Sequence, residues 1–366
     1  MSSADAGRGA RIALLLPSLK FGGGERVALN LAHALKALGC QVTILLMSHE
    51  GEYLEAARGS FEVVDLRCNR TYKLPQRLIS YLFAQPTDLL ISSYWKLNLC
   101  AAFARLFAPK LRLLVWEHSP PTLSRNSPTW LYAPSASLAY RLADKVICVS
   151  QGVSADVAGC TIGLGTRLTV IHNPIPGPSL SIARELGGRP TIAWVGRLDD
   201  PKNPGLMLDG FALLAPVADA DLVFIGDGRQ RAGLEERSTR SGLAGRVRFA
   251  GYQAEPYAML AKCDLLALTS DREGLPTVIV EALHVGLGVV STDCGLGVHE
   301  ILGEGTYGTI VPLGDPAALA RGIAAELEHR RDPAVQRLGA ARFEPATIAR
   351  QFLAAAGLGK RVRRSA

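Results

Sequence analysis

The sequence contains no run of 18 apolar residues free of charge, so no transmembrane helix is expected from it. Its opening stretch, MSSADAGRGARIALLLPS, has too short an apolar core and no clear cleavage signal to read as a leader. Repeats and low-complexity tracts are also lacking, which argues against solenoid, collagen-like and disordered architectures. No Cys-x-x-Cys occurs among the seven cysteines, Cys40, Cys68, Cys100, Cys148, Cys160, Cys263 and Cys294. They are odd in number, widely spaced and often set in apolar runs. This pattern speaks against a disulfide framework or a zinc site and for a reduced protein with buried thiols.

Excess charge is modest: 40 Lys and Arg stand against 33 Asp and Glu, a net +7. That favours phosphates or an anionic surface without reaching the density of a dedicated DNA binder. The excess is unevenly placed, because residues up to Ile175 hold 18 basic and 11 acidic side chains while the remainder holds 22 of each. Lys360, Arg361, Arg363 and Arg364 form a basic tail, without which the second half is net −4.

What is present is the material of two ordinary domains: 366 residues, 48% hydrophobic and 20% charged, with 37 Gly and 21 Pro. Short apolar runs alternate with longer amphipathic segments. In the first half the runs Arg11 to Leu16, Gln41 to Met47, Phe61 to Leu66, Asp88 to Ser92, Leu111 to Val115 and Lys145 to Val149 predict strands. Most are continuous rather than alternating, as in parallel strands buried on both faces. Glu25 to Leu38 and Trp95 to Phe107 carry helical apolar spacing. Asn173-Pro-Ile-Pro-Gly-Pro178 cannot be helical and predicts an interdomain linker. The rhythm then restarts, with strands predicted at Thr191 to Val195, Asp221 to Ile225, Val247 to Ala250, Asp264 to Thr269 and Gly288 to Ser291. Helices are clearest at Leu206 to Leu214 and Thr277 to Val285. The expected fold class is α/β, with two Rossmann-like domains facing across a cleft and ligands at the carboxyl ends of the strands.

Three segments carry chemistry. The first strand runs into Gly22-Gly23-Gly24-Glu25-Arg26 and then a helix, so backbone amides there can approach a phosphate; a plain structural turn is the other reading. The dinucleotide fingerprint fails, since Val27 replaces the third glycine and the loop before Gly22 is long. After the first strand of the second half, Arg197 and Lys202 share one loop and can clamp a diphosphate, or else pair with Asp199 and Asp200 on a solvated turn. In Ser270-Asp-Arg-Glu-Gly-Leu-Pro-Thr-Val-Ile-Val-Glu-Ala-Leu283, Pro276 suits the first turn of a helix, with Glu273 and Gly274 before it and Glu281 within it. That span suits a nucleotide sugar; an amphipathic helix with one surface and one buried Glu is the alternative. Asp219-Ala-Asp221 looks like a metal-binding acid pair but lies just before a strand and reads as a turn.

Taken together, Gly22 to Arg26, Glu117-His118, Val149-Ser150, His172-Asn173-Pro174, Val195-Gly-Arg197 with Lys202, Gly226-Asp-Gly228 and Glu273-Gly-Leu-Pro276 to Glu281 resemble the GT-B fold retaining glycosyltransferases of family GT4, group 1, over nearly the whole chain. The resemblance implies an N-terminal acceptor-side domain at 1–175, a C-terminal nucleotide-sugar donor domain at 176–345, and a C-terminal helix and basic tail at 346–366 packing back on the first. It implies that Arg197 and Lys202 neutralise the donor diphosphate and that Glu281 binds the ribose. Glu273 would hold sugar hydroxyls, with Gly274, Leu275 and Pro276 beside it, while Gly22, Gly23 and Gly24 approach the phosphates. His118 would contact the donor sugar near its reacting carbon; by residue type alone it is a packed loop histidine. Gly288 stands where the family usually has proline.

The implied reaction is metal-independent sugar transfer, needing no cofactor, from a UDP-hexose or UDP-N-acetylhexosamine to a glycan or lipid-linked acceptor of bacterial surface polysaccharide or glycolipid, with no nucleic-acid partner. A nucleotide-sugar epimerase and a non-catalytic nucleotide-sugar binding protein are the competing readings. Arg67, Arg70, Lys73 and Arg77 interleave with Tyr72, Leu74, Leu78, Ile79, Tyr81, Leu82 and Phe83, and Arg105, Lys110 and Arg112 follow. Such a segment suits an anionic membrane, or is a solvated helix covering the core. The expected location is the cytoplasm, with peripheral contact at the inner face of the cell membrane.

Overall fold

The computed structural model describes residues 9–68, 70–119, 121–123, 129–178, 188–253 and 255–359. The basic tail from Lys360 onward lies outside the described residues. The chain divides into two compact units, Met1–Pro176 with Phe343–Ala366, and Gly177–Arg342. The division falls inside the proline-rich stretch, where residues 171–178 have no regular structure. The chain rejoins the first unit at Phe343, slightly before the boundary expected from sequence.

The first unit holds seven strands: β1 (Arg11–Leu16), β2 (Gln41–Leu46), β3 (Glu62–Asp65), β4 (Leu89–Ser93), β5 (Arg112–Glu117), β6 (Lys145–Cys148) and β7 (Leu168–Val170). Every ladder is parallel, in the order β3-β2-β1-β4-β5-β6-β7. All five residues of β4 are buried, the apolar Leu89, Leu90 and Ile91 and the two serines that end the strand, as in a parallel strand covered on both faces. The sheet reverses direction of growth between β1 and β4, which pair with Ile12 opposite Leu89 and Leu14 opposite Ile91. The helix Pro345–Ala355 starts with Glu344 capping the amides of Ala346 and Thr347 and with proline in its first turn. It packs on the helix Gly23–Ala37, and its Phe352 meets the Trp116 ring edge-on at 5.0 Å. Burying Phe352 contributes roughly 1.5–3 kcal/mol to that docking.

The second unit holds β8 (Thr191–Val195), β9 (Asp221–Ile225), β10 (Val247–Gly251), β11 (Leu265–Leu268), β12 (Gly288–Thr292) and β13 (Thr309–Val311). They are again parallel, in the order β10-β9-β8-β11-β12-β13, with the reversal between β8 and β11. Trp194, Phe211 and Phe224 anchor its core, and Trp194 Nε1 donates to Thr269 Oγ1 at 2.9 Å, satisfying the one polar atom the indole buries.

The expected α/β architecture is present in both units. β7 and β13, each of three residues at a sheet edge and partly open to solvent, are additions that apolar runs did not announce. All seven cysteines are free thiols and six are buried; burial pushes Cys40 and Cys100 up to about 11 and is the main cause that takes Cys148 and Cys294 to about 12. Among the described residues no helix is long and apolar enough to cross a membrane.

Candidate functional site

Ligands in open parallel sheets bind beyond the carboxyl ends of the strands where the order reverses. In the second unit that place is defined by the loops after β8 and β11. Lys202, from the first, lies 2.5 Å from Glu273 Oε1, from the second, and Ser270 Oγ donates to the same oxygen at 2.7 Å. The two loops are joined further by Asn203 Nδ2 to Asp271 Oδ1 at 2.8 Å, Asp271 N to the Pro201 carbonyl at 2.9 Å, and Thr269 Oγ1 to the Asn203 carbonyl at 2.8 Å. The solvated-turn alternative for the cations fails: Asp199 accepts from the backbone and side chain of Arg229, and Asp200 accepts from Gln230. Arg197 is exposed and makes no ion pair among the described residues, which leaves its guanidinium open to an anion.

Two close backbone approaches hold these loops. Gly226 has φ 148°, and a Cβ there would lie 1.8 Å from the Gly196 carbonyl oxygen, so the Gly226-Asp-Gly228 turn is wedged beneath the loop bearing Arg197. Leu198 N also donates to the Asp227 carbonyl at 2.9 Å. Behind Glu273, its amide donates to the Cys294 carbonyl at 2.9 Å, and a Cβ on Gly297 would meet the Gly274 carbonyl at 2.2 Å. Sequence reasoning missed this buttress after β12; its signal is the pair of glycines in Cys294-Gly-Leu-Gly297. Leu275 and Pro276 are buried, and Pro276 occupies the cap rather than the first turn of the helix Thr277–Val285. Its ψ of 98° is extended rather than helical, so the following residue opens the helix. Glu281 is 5% exposed within that helix. Gly288, where proline was expected, is the first residue of β12.

In the first unit the corresponding loops follow β1, β4 and β5. Gly22 caps the helix Gly23–Ala37 with no side-chain cap bond, and Gly23 faces open space. Gly24 is closed in by the Tyr94 hydroxyl, 2.5 Å from where its Cβ would stand. His118 lies just beyond β5 with Nε2 3.4 Å from Ser93 Oγ and its ring 4.4 Å from Trp116. Burial pushes its imidazole down to about 4, so it is neutral near pH 7. Its neighbour Glu117 is buried and accepts from Asn98 Nδ2 at 2.9 Å and from the Tyr140 hydroxyl. Burial pushes Glu117 up to about 7, against the lowering effect of those two bonds. Ser93 and Tyr94 were missed, since nothing local in their sequence marks the end of β4 as a reversal point.

Elsewhere, Asp219 and Asp221 both pair with Arg189, at 2.7 and 3.0 Å, as a turn with a structural role would. No group of three or more His, Cys, Asp or Glu suited to a metal occurs among the described residues. The basic segment of the first unit is partly spoken for. Arg105 and Arg112 pair with Asp144, at 3.0 and 3.1 Å, and Arg105 also donates to the carbonyls of Leu111 and Leu142. Arg67, Arg70, Lys73, Arg77 and Lys110 are exposed.

Two family models match the chain: "Glycosyltransferase Family 4" over residues 21–176 and "Glycosyl transferases group 1" over residues 189–329. The chain is 26% identical over 340 residues, 87% of its length and 90% of the relative's, to the N-acetylgalactosamine-N,N'-diacetylbacillosaminyl-diphospho-undecaprenol 4-alpha-N-acetylgalactosaminyltransferase of Campylobacter jejuni. It is 29% identical over 205 residues, 52% of its length and 56% of the relative's, to the lipopolysaccharide 1,6-galactosyltransferase of Escherichia coli. The crystal structure of Anabaena HepE in complex with UDP shares the fold, with a TM-score of 0.80 and 23% identity, covering 94% of this chain and 98% of HepE.

Proposed function

The chain belongs to the family 4, group 1 glycosyltransferases, and we propose that it transfers a hexose or N-acetylhexosamine from the UDP sugar to a glycan or lipid-linked acceptor, with retained anomeric configuration and without a metal. The observation that carries this reading is the contact of Lys202 with Glu273 beside an open Arg197. In a nucleotide sugar the phosphate oxygens and sugar hydroxyls are a few bonds apart. A cation and a hydroxyl-accepting carboxylate held in contact match that spacing.

In this proposal Arg197 and Lys202 neutralise the diphosphate as it leaves, the largest electrostatic demand of the reaction and one that two cations meet without a metal. Glu273, oriented by Ser270 and Lys202, accepts from sugar hydroxyls, with Gly274, Leu275 and Pro276 beside it. Glu281 takes the ribose. From the first unit, the Gly22–Gly24 turn is assigned to the phosphates and neutral His118 to the sugar near its reacting carbon. The bond from the anomeric carbon to the diphosphate oxygen breaks, the acceptor oxygen bonds on the same face, and its proton passes to the departing phosphate. His118 and Glu273 position the sugar and transfer no proton.

The test is the double variant Arg197→Ala with Lys202→Ala, which should abolish transfer in a protein that still melts cooperatively; unchanged turnover overturns the assignment. Thermal shifts over UDP-, GDP- and ADP-sugars identify the donor, since a ligand bound only by the folded state raises its stability. Isomerisation of the donor without acceptor and without net release of nucleotide would favour an epimerase.

A finer proposal concerns where the acceptor is met. The helices Leu74–Ala84 and Trp95–Arg105 leave Phe83, at 73% exposure, and Phe103 in solvent, with Leu106 and Phe107 following. With Lys73, Arg77 and Lys110 exposed in the same unit, this surface suits peripheral contact with an anionic membrane holding a lipid-linked acceptor. Leu74 and Leu78 on the same helix are buried, so the segment also covers the core.

A further inference from the structure

The first sheet reverses between β1 and β4, and the residue after β4 is Tyr94, at φ 72° and ψ 129°. That conformation is natural for glycine and strained for a bulky aromatic residue, so it persists only where the surroundings over-determine it. Here they do. The Tyr94 carbonyl accepts from the amides of Leu97 and Asn98 at 3.0 and 2.9 Å, opening the helix Trp95–Arg105. Its hydroxyl donates to Glu25 Oε1 at 2.7 Å and lies hard against Gly24. Its ring centroid is 6.0 Å from that of His118. One side chain thus touches the groups that follow β1 and β5.

Glu25 gives this contact a purpose. It stands in the first turn of the helix Gly23–Ala37, with Oε2 2.1 Å from where a Cβ on Gly22 would be. A carboxylate beside a turn meant for phosphates repels them unless it is held and its charge engaged. Burial and the Glu25 charge both push the Tyr94 hydroxyl well above its ordinary range, so it stays protonated and keeps donating.

We propose that Tyr94 is a positioning residue for sugar transfer: it fixes Glu25 and with it the Gly22–Gly24 turn, and its ring sets one side of His118. The inference rests on the assignment of that turn and of His118 to the transfer site.

Tyr94→Phe removes one oxygen and leaves the ring and backbone in place. Amide hydrogen exchange over residues 21–26 should quicken about fivefold or more, with the melting temperature and exchange elsewhere unchanged. Turnover at saturating donor should fall about tenfold, with donor KM moving much less. Glu25→Gln keeps an oxygen that accepts from Tyr94 and should retain most turnover, while adding it to Tyr94→Phe should cost little more. Unchanged exchange in Tyr94→Phe overturns the proposal, and so does faster exchange with unaltered turnover. If instead His118→Ala turns over like the unaltered protein, the site assignment has failed; the exchange measurement needs no turnover and so separates the two failures.

Discussion

Lys202 Nζ meets Glu273 Oε1 at 2.5 Å across the reversal of the second sheet, although the residues are 71 apart in the chain. The Lys202 side chain is 27% exposed and that of Glu273 13%, so the pair is largely buried and solvent reaches only part of it.

Replacing the carboxylate isosterically isolates its charge. Glu273→Gln should lower turnover on the order of a hundredfold or more, the usual loss when one preorganised polar partner of the transition state is removed. Its melting temperature should fall only modestly, because glutamine keeps an oxygen that accepts from Lys202 and Ser270. Steady-state kinetics beside a thermal melt checks both, and turnover within a factor of about two of the unaltered enzyme would remove Glu273 from the site.

The buttress behind Glu273 is tested by adding one methyl group. Gly297→Ala drives a Cβ into the Gly274 carbonyl, and backbone cannot yield as a flexible side chain can. A destabilisation of about 1–3 kcal/mol is expected, with weaker donor binding by calorimetry. Gly233→Ala, in the open part of the helix Arg231–Arg240 with no atom within 4 Å of the new methyl, should instead stabilise by about 0.5–1 kcal/mol. Equal effects at the two positions would contradict the packing described.

Glu117 and His118 are neighbours whose protonation opposes one another. His118 is lowered from 6.5 to about 4, so the unfolded chain takes up its proton first as pH falls, and stability is lost from about 6.5 down to about 4. Glu117 is raised from 4.5 to about 7, so the native state keeps a proton that the unfolded chain sheds, and stability is lost as pH rises through that window. Glu117→Gln should therefore gain more over the unaltered protein at about pH 7.5 than at about pH 4.5, and His118→Asn the reverse. Urea midpoints across the range decide it; parallel curves for all three proteins would mean that neither group is shifted as described.

Membrane contact makes a separate demand. Phe83→Ser with Phe107→Ser should reduce flotation with anionic vesicles at low salt while leaving turnover on a soluble acceptor unchanged, because Phe83 is 73% and Phe107 49% exposed and neither belongs to the transfer site. If the unaltered protein does not float with such vesicles, the membrane proposal falls.

Much of the fold is readable along the chain. Thr191–Val195, Asp221–Ile225 and Thr277–Val285 begin and end where their apolar runs do, because segments covered on nearly all sides are apolar almost throughout. The edge strands Leu168–Val170 and Thr309–Val311 escape that logic, since a short, half-wet strand has little apolar pattern to show. Among the site residues, the glycine turn and the loops holding Arg197, Lys202 and Glu273 announce themselves by composition. Their partners do not. Asp199 and Asp200, the nearest acids in sequence to Lys202, are engaged by Arg229 and Gln230, and two of the cations read as a membrane face are held by Asp144.

The sequence by itself determined two parallel α/β units joined by a proline-rich stretch, a basic excess in the first, and which loops carry glycine, cation and carboxylate. Periodicity, proline geometry and composition are local properties and need no partner to be read. Only the tertiary structure decided that Lys202 meets Glu273, that Tyr94 accepts a strained backbone to reach Glu25, and that Gly297 underpins Gly274. The first two contacts depend on strand order: each sheet reverses once between strands far apart in the chain, and the loops that meet there are neighbours in space without being neighbours in sequence, whereas the third joins the loops after the consecutive strands β11 and β12.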